Sequence, residues 1–199
     1  VLESLNVRWL EGVSQVVLSP GLGLDIPLVV EAQRLGIPII NDIELFAQVV
    51  DTPVIGVTGS NGKSTVVTLL ERILSATGVR VASGGNLGPP ALDLLEVPAE
   101  AYLLELSSFQ LDDLASIDRR PNISVITNLS ENHIDWHGSY DNYLAAKRQI
   151  LRTGPPPDIA VLNLSDPLLR KWAGESTREL RAVSTPAEGI TGVITDMDA

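Results

Sequence analysis

The sequence predicts an α/β fold in which a mostly parallel sheet carries helices on both faces. Short apolar runs alternate with stretches of helical spacing along nearly all of the 199 residues. A glycine-containing turn, Thr58–Thr65, connects one such run to a helical stretch. The composition, with 44% hydrophobic and 20% charged residues, is ordinary for a globular protein.

Residues 1–51 predict two strands, each followed by a helix. In order, these elements are a strand at Val16–Ser19, a helix at Asp25–Leu35, a strand at Ile37–Ile40 and a helix after Asn41. Asn41 is a typical N-cap residue, and Glu44 three residues later completes a capping-box pattern. Asp51–Pro53 interrupts the pattern, and we expect a boundary there between domains 1–51 and 52–199.

Residues 52–199 continue the alternation. The predicted strands are Val54–Val57, a segment near Val79–Ala82, Ala101–Leu106, Ile123–Thr127 and Asp158–Asn163. The predicted helices are Val66–Leu74, one from Pro89, one over Tyr140–Leu151 capped by Ser139, and one opening at Asp166-Pro167. A glycine-rich turn is expected over Ser83–Gly88.

The Thr58–Thr65 turn has the features of a phosphate-binding loop. Two glycines let the backbone curl so that its N–H groups point at phosphate oxygens, and the following helix adds its positive end. Lys63 would reach the outer phosphates, and the Ser64 hydroxyl would hold Mg²⁺. The nucleotide-binding residues expected here are Gly59, Ser60, Asn61, Gly62, Lys63, Ser64 and Thr65.

The loop departs from the general pattern at one position. Val57 stands five residues before Gly62, where that pattern has a glycine. An ordinary strand–helix connection is therefore the alternative to nucleotide binding.

The net charge of −11 argues against nucleic acid or an anionic membrane as the main partner. The chain has no cysteine, which excludes disulfides and thiolate metal sites and fits a location in the cytoplasm. It contains no apolar run near the ~20 residues of a membrane span. Because it opens on Val1 and its end carries no obvious finishing element, we expect a fragment of a longer protein.

Glu105 is conspicuous because it interrupts the apolar run Ala101–Leu106. A buried carboxylate is costly unless it meets a cation. It could form an internal ion pair or mark an edge strand. Alternatively, it binds Mg²⁺ in the place of a Walker-B carboxylate.

The only histidines, His133 and His137, are four residues apart. That spacing matches a two-histidine metal site on a helix. The segment lacks a helical pattern and ends in Gly138, so a zinc site is not expected. We expect His133 near the phosphates, as a metal ligand or hydrogen-bond donor, and His137 in a loop.

Lys147 lies in the middle of an otherwise apolar stripe formed by Tyr140, Tyr143, Leu144 and Leu151. Its stem could pack while its amine reaches water. Alternatively, the lysine points inward and serves the active site, in which case burial lowers the pKa of its amine.

Two further segments follow strands on the side of the sheet where ligands bind. Gly85–Leu87 could be only a turn, and Ser107–Gln110 only a helix start. Both could also contact a substrate.

Together these residues resemble the Mur ligase family of peptidoglycan synthesis, over nearly the whole chain. Thr58–Thr65 is similar to the family's shortened phosphate loop. Four segments resemble the members of the family that add D-glutamate, namely Asn41–Phe46, Gly84–Gly88, Leu104–Leu111 and Asn128–Asp135.

The resemblance implies ATP-driven amide synthesis. ATP would phosphorylate the carboxylate of UDP-N-acetylmuramoyl-L-alanine, and the amine of D-glutamate would attack the acyl phosphate. It implies small-molecule partners only, with no nucleic acid or membrane, and a cytoplasmic monomer when full length. A folylpolyglutamate-synthase-like ligase and a non-catalytic nucleotide-binding fragment are the alternatives.

The resemblance also implies a role for each candidate residue. Lys63 would neutralise the transferring phosphoryl group, Ser64 and Glu105 would hold one Mg²⁺, and His133 a second. Lys147 would react with CO₂ and bind metal as a carbamate. The residues implied to bind the muramoyl-alanine part are Asn86, Ser107 and Gln110, and those implied to face the UDP are Ser19, Pro20 and Gly21.

By the same resemblance, residues 1–51 are the C-terminal part of a UDP-binding Rossmann-like domain. Residues 52–199 are an incomplete central ATP-binding domain, and a C-terminal domain is absent. We therefore expect the fragment itself to be inactive.

Overall fold

Two separate sheets run through the chain, and the larger one places the candidate site. The computed structural model describes residues 6–19, 21–113, 120–152, 158–176, 178–184 and 193–196. Strands β1 (Val16–Val17) and β2 (Ile39–Ile40) form a small parallel pair. The sheet changes after β2, close to the boundary predicted at Asp51–Pro53. The division into two domains stays a prediction.

The larger sheet has seven described strands. In chain order they are β3 (Val54–Thr58), β4 (Val81–Gly85), β5 (Ala101–Glu105), β6 (Ile123–Ile126), β7 (Ile159–Asn163), β8 (Glu179–Ser184) and β9 (Val193–Asp196). Their spatial order is β4-β5-β3-β6-β7-β8-β9. All neighbours pair in parallel except β8 and β9. The chain places β5 on one side of β3 and β6 on the other, which is the kind of switch point where open α/β sheets bind ligands.

Helices accompany both sheets, and they pack on both faces of the larger one, as predicted. In order they are α1 (Pro27–Arg34), α2 (Asp42–Val49), α3 (Lys63–Ala76), α4 (Ala91–Leu94), α5 (Ser108–Asp113), α6 (Ile134–His137), α7 (Tyr140–Arg148) and α8 (Pro167–Ala173). Val67 of α3 packs with Val57 and Leu103. Phe46 of α2 and Leu104 belong to the core on the opposite face. Alternation along β5 therefore sends Leu103 and Leu104 to different faces.

Helix α2 is a capped helix that joins the small sheet to the large one. Asn41 Oδ1 accepts a hydrogen bond from the Glu44 N–H at 2.8 Å, and Glu44 Oε2 accepts one from the Asn41 N–H at 2.9 Å. The predicted capping box is thus confirmed. The helix precedes the predicted boundary, yet its Ile43 and Phe46 lie in the core of the larger sheet.

Two element predictions need correction. β4 begins at Val81 and continues through Gly85, so the first half of the predicted turn Ser83–Gly88 is strand. The reason is parallel pairing with β5. Gly84 also has no room for a side chain, since a Cβ there would lie 2.3 Å from the Pro89 carbonyl oxygen. In addition, α7 ends at Arg148, and the last three residues of the predicted helix form a 3-10 turn.

Among the described residues, no helix combines the length and the apolar character needed to cross a bilayer.

Candidate functional site

The site is built around the turn between β3 and α3. Gly59 has φ of 144° and Gly62 has φ of 79°, conformations that L side chains rarely adopt. A Cβ on Gly59 would lie 2.0 Å from Thr127 Oγ1. α3 then begins at Lys63, with Gly62 as its N-cap. The predicted strand–loop–helix arrangement is therefore confirmed.

Val57 is fully buried at the position where the general loop pattern has glycine. The chain is still a strand there, because Val57 pairs with Glu105 of β5 and Val125 of β6. Its side chain packs on α3 through Val67. The turn begins only at Gly59, which is why it is short and needs no earlier glycine.

Hydrogen bonds from distant segments hold the loop in shape. Ser60 Oγ donates to the Ser130 carbonyl at 2.9 Å and accepts from the Ser130 N–H at 2.8 Å. The Asn61 N–H donates to Asn128 Oδ1, and Asn128 Nδ2 donates to the Asn61 carbonyl. The Ser60 hydroxyl is thus engaged in hydrogen bonds within the protein, whereas Thr65 is exposed on α3.

Tyr143 of α7 also contacts the loop, with its hydroxyl 2.8 Å from Ser60 Oγ. A serine hydroxyl has one proton and two lone pairs. The Ser60 proton is already donated to the Ser130 carbonyl, so Tyr143 must be the donor in this pair. Tyr143 therefore joins the loop to the helix that carries Lys147.

Glu105 lies at the end of β5, directly beside the loop. Ser64 Oγ donates to its Oε2 and Asn86 Nδ2 to its Oε1, both at 2.8 Å. β5 lies between β4 and β3, so the edge-strand alternative is excluded. The donors that reach the carboxylate are a hydroxyl and an amide, which does not support an internal ion pair.

The Ser64 and Glu105 oxygens fit a magnesium ion. Mg²⁺ is commonly held by one or two protein oxygens together with substrate phosphates and water. The described part of the chain has no cluster of three or more His, Cys, Asp or Glu side chains that would form an all-protein metal site. A hydroxyl and a carboxylate beside a phosphate loop are the donors that a nucleotide-bound Mg²⁺ needs.

Lys147 points inward and is only 2% exposed, which excludes the snorkelling alternative. Its Nζ donates to Thr58 Oγ1 at 3.1 Å and lies 5.0 Å from the Tyr143 ring centroid. Burial lowers the pKa of its amine to about 7, helped by the positive charge of Lys63 and opposed by Glu105. Part of the Lys147 population therefore carries a neutral, nucleophilic amine near neutral pH.

A cleft of about 230 Å³ opens above these groups; we call it the phosphate cleft. The candidate residues that line it are Gly59, Lys63, Asn86, Ser107, His133 and Lys147. Lys63 Nζ donates to the Gly59 and Ser60 carbonyls at 3.0 and 3.3 Å. The lysine is thus folded over the loop, where a phosphate would meet it.

Gln110 is placed differently from the other candidates. It is 2% exposed and forms a reciprocal pair with Ser107, in which Ser107 Oγ donates to Gln110 Oε1 at 3.0 Å. The Gln110 N–H donates back to Ser107 Oγ at 3.2 Å. Gln110 therefore supports the start of α5 and the orientation of Ser107 from beneath the cleft.

The prediction for His137 was wrong. It ends the one-turn helix α6 and its side chain is 1% exposed, so it is not a loop residue. His133 precedes α6 in a left-handed conformation, with φ of 52°, and faces the phosphate cleft. Both rings pack against Phe109, with centroid distances of 4.9 Å for His133 and 5.7 Å for His137.

A second cleft, of about 350 Å³, lies next to the turn after β1. Ser19 and Gly21 line it on one side, and Phe109 and Trp136 on the other. Pro20 lies outside the described residues. The small sheet and the α5–α6 region thus share one opening, as expected for a ligand that spans both parts of the chain.

Some residues in and around the clefts were not identified from the sequence as site residues. Thr58 binds the Lys147 amine, Tyr143 binds the loop, and Phe109 lines both clefts. Tyr143 was recognisable only as part of the Lys147 stripe, one turn earlier on the same helix. Nothing local to Thr58 or Phe109 distinguishes them from an ordinary strand end and an apolar helix residue.

Comparisons with known proteins agree with this geometry. Residues 57–192 match the model of the Mur ligase middle domain. The UDP-N-acetylmuramoylalanine--D-glutamate ligase of Vibrio cholerae is 45% identical over 161 residues, which are 81% of this chain and 36% of the relative. The enzyme of that name from Haemophilus influenzae (strain PittEE) is 40% identical over 93% of this chain and 40% of its own length.

A solved structure shows the same fold. UDP-N-acetylmuramate:L-alanyl-gamma-D-glutamyl-meso-diaminopimelate ligase from Neisseria meningitides superposes with a TM-score of 0.66 at 17% identity. The superposition covers 96% of this chain and 67% of that one. The chain thus spans about two fifths of the length of its curated relatives and shares the fold of a larger ligase. It belongs to the Mur ligase family, whose middle-domain model it matches over residues 57–192.

Proposed function

We propose that this chain is part of an ATP-dependent ligase that joins D-glutamate to UDP-N-acetylmuramoyl-L-alanine in peptidoglycan synthesis. The observation that carries the proposal is the buried Lys147 amine, held by Thr58 above the phosphate loop and next to the Ser64–Glu105 pair. The names of the curated relatives support the choice of substrates.

In the first step, the substrate carboxylate attacks the γ-phosphorus of ATP to form an acyl phosphate and ADP. Lys63 exchanges the Gly59 and Ser60 carbonyls for phosphate oxygens and neutralises the transferring group. The loop residues Gly59, Ser60, Asn61, Gly62 and Thr65 shape the phosphate site. In the second step, the D-glutamate amine attacks the acyl carbon, and phosphate leaves.

Ser64 and Glu105 would hold one Mg²⁺, and His133 would contribute to a second. When bound, the metal offsets the negative charge of the phosphates. Without it, Glu105 would repel the nucleotide. Ser64 and Asn86 keep the carboxylate oriented towards the loop through their two hydrogen bonds.

Lys147 would act as a carbamate. The neutral amine nitrogen forms a bond to the carbon of CO₂, and the resulting carbamic acid loses a proton, so that the side chain becomes an anion. A lowered amine pKa favours this reaction because only the unprotonated amine attacks. An anion beside Glu105 needs a nearby cation, and Lys63 and a metal ion would both provide one.

On the substrate side, Asn86 and Ser107 line the phosphate cleft, with Gln110 supporting Ser107 from below. They would orient the muramoyl-alanine part. Ser19 and Gly21 in the second cleft, together with Pro20, would face the UDP part. In this proposal the complete protein is a cytoplasmic monomer.

The test uses the polypeptide encoded by the complete gene. Phosphate release is measured with ATP, Mg²⁺ and UDP-N-acetylmuramoyl-L-alanine, with and without D-glutamate. Release that requires both substrates supports the proposal. Release with folate and glutamate instead would favour a folylpolyglutamate-synthase-like ligase, and nucleotide binding without release would favour a non-catalytic module. The chain of 199 residues is the matched control and is expected to be inactive.

A further inference from the structure

His137 is a buried histidine that the proposed function leaves without a role. Its Nε2 lies 3.0 Å from Ser108 Oγ. Its ring stacks on Phe109 at a centroid distance of 5.7 Å and an interplanar angle of 10°. The His137 ring also packs edge-on against the Tyr143 ring, with 5.5 Å between the two centroids. A polar ring packed this closely holds one orientation.

The surroundings of the ring favour one tautomer. Nδ1 lies 3.9 Å from Asp112 Oδ2, and a carboxylate attracts a nitrogen that carries a proton. The ring is buried, and the neutral form of an imidazole has a single N–H, which here faces the Asp112 carboxylate. With the proton on Nδ1, Nε2 is an acceptor, and Ser108 must donate to it.

This arrangement leaves Ser108 as a hydrogen-bond acceptor in the phosphate cleft. Ser108 is 2% exposed and lines that cleft. Its only hydroxyl proton goes to His137, and no other side chain or backbone donor among the described residues reaches its Oγ. Both of its remaining lone pairs are therefore available. Ser107, next to it, differs because its Oγ already donates to and accepts from Gln110.

We propose that His137 is a positioning residue that fixes the Ser108 hydroxyl as an acceptor for an amide N–H of the bound carboxylate substrate. The inference rests on the proposed ligase function, whose muramoyl-alanine substrate carries such an amide. His137 acts through Ser108 and touches no reacting atom.

The tautomer is tested by nitrogen NMR on the chain labelled with ¹⁵N-histidine. The chain has only two histidines, and His133→Gln assigns the remaining signals to His137. We expect a protonated Nδ1 and an unprotonated Nε2 that accepts a hydrogen bond. A protonated Nε2 would overturn the inference. This measurement does not depend on catalysis, so its result decides the tautomer whether or not the ligase function is correct.

The role is tested by steady-state kinetics on the complete gene product. Ser108→Ala is expected to raise the KM for UDP-N-acetylmuramoyl-L-alanine about three- to tenfold, the loss of one neutral hydrogen bond, and to leave the KM for ATP unchanged. His137→Phe keeps an aromatic ring and is expected to give a similar shift, with no further increase in the double variant. The exposed Ser75→Ala, on the far end of α3, is the control.

A rise in the KM for ATP equal to that for the muramoyl substrate would contradict the inference, as would multiplicative effects of the two substitutions. If the wild-type protein does not use the muramoyl substrate at all, the proposed function fails, while the NMR result still decides the tautomer. Ser108→Ala removes only one oxygen atom, so the test does not depend on whether His137→Phe folds.

Discussion

At the scale of single residues, the two glycines of the phosphate loop differ in what they tolerate. Gly59 has positive φ and no room, since a Cβ would contact Thr127 Oγ1 and the Asn128 backbone. Gly62 also has positive φ but faces open space. Gly59→Ala is expected to lower the free energy of unfolding by about 2–3 kcal/mol and to abolish nucleotide binding. Urea unfolding and ADP titration measure both effects.

Gly62→Ala is the matched control for this pair. This substitution is expected to lower the free energy of unfolding by only about 1 kcal/mol, the cost of placing a side chain on left-handed backbone. Equal losses of stability and of ADP affinity in the two variants would show that the close contact at Thr127 does not matter.

Lys147 is expected to make stability depend on pH. The pKa of its amine is about 7 in the folded chain against 10.5 in the unfolded one. Between these values the unfolded state binds the extra proton, so the free energy of unfolding rises with pH. It falls as the pH is lowered towards 7 and levels off below that. Urea unfolding at pH 7, 8 and 9 in CO₂-depleted buffer measures this slope.

Lys147→Met removes the titrating amine and keeps a long apolar stem. The variant is expected to be more stable than the parent near pH 7, with the difference shrinking as the pH rises towards 10. Stability curves that run parallel across this range would refute the lowered pKa.

At the scale of secondary structure, the caps decide how firmly helices hold the site. Asn41 is fully buried, caps α2 and donates from Nδ2 to the Gln110 carbonyl of α5 at 3.0 Å. Asn41→Ala is expected to cost about 2 kcal/mol, the upper end for an N-cap, because it also breaks the link to α5. Thermal unfolding is the measurement.

Ser139→Ala is the matched control, because Ser139 caps α7 through a single bond to the Asn142 N–H at 3.1 Å. About 1 kcal/mol is expected there. A smaller loss for Asn41→Ala than for Ser139→Ala would mean that the link between α2 and α5 contributes nothing.

These elements were predictable because their causes are local. Each cause involves residues within one or two turns of a single helix. Examples are the capping box at Asn41 and Glu44, the proline after Asp166 and the stripe around Lys147. The end of β4 was not predictable in the same way. Gly84 and Gly85 are turn formers by composition, and only pairing with β5 makes them a strand. Long-range contacts also determined the burial of His137.

At the scale of the whole molecule, Arg178 ties several strands together. Its side chain is fully buried and forms an ion pair with Asp158. It donates to Ser124 Oγ at 2.7 Å and to the carbonyls of Ile150 and Ile159 at 2.8 and 3.0 Å. Arg178→Met is expected to lower the free energy of unfolding by about 3–5 kcal/mol, since it breaks a buried ion pair and several buried hydrogen bonds.

Urea unfolding measures the loss, and Arg34→Met is the control. Arg34 forms an exposed ion pair with Glu31 within α1, and its replacement is expected to change stability little. Similar losses in the free energy of unfolding for the two substitutions would show that the buried Arg178 contacts do not stabilise the sheet.

The mostly parallel sheet, its helices and the phosphate loop were all predictable from alternation and turn chemistry. The assembly of the site was not, because its contacts join distant segments. Tyr143 is 83 residues from Ser60, and Lys147 is 89 residues from Thr58. Periodicity placed Lys147 on an inward face, but it could not say which residues the amine would meet.

That separation has a consequence for the chain as it is made. A ribosome adding about 5–20 residues per second needs roughly five to twenty seconds to go from Thr58 to Lys147. During this interval the loop has been synthesised without the helix that donates to Ser60, and no amine lies above it. A nascent chain that stalls within this stretch therefore carries the most recognisable motif of the protein without the groups needed to use it.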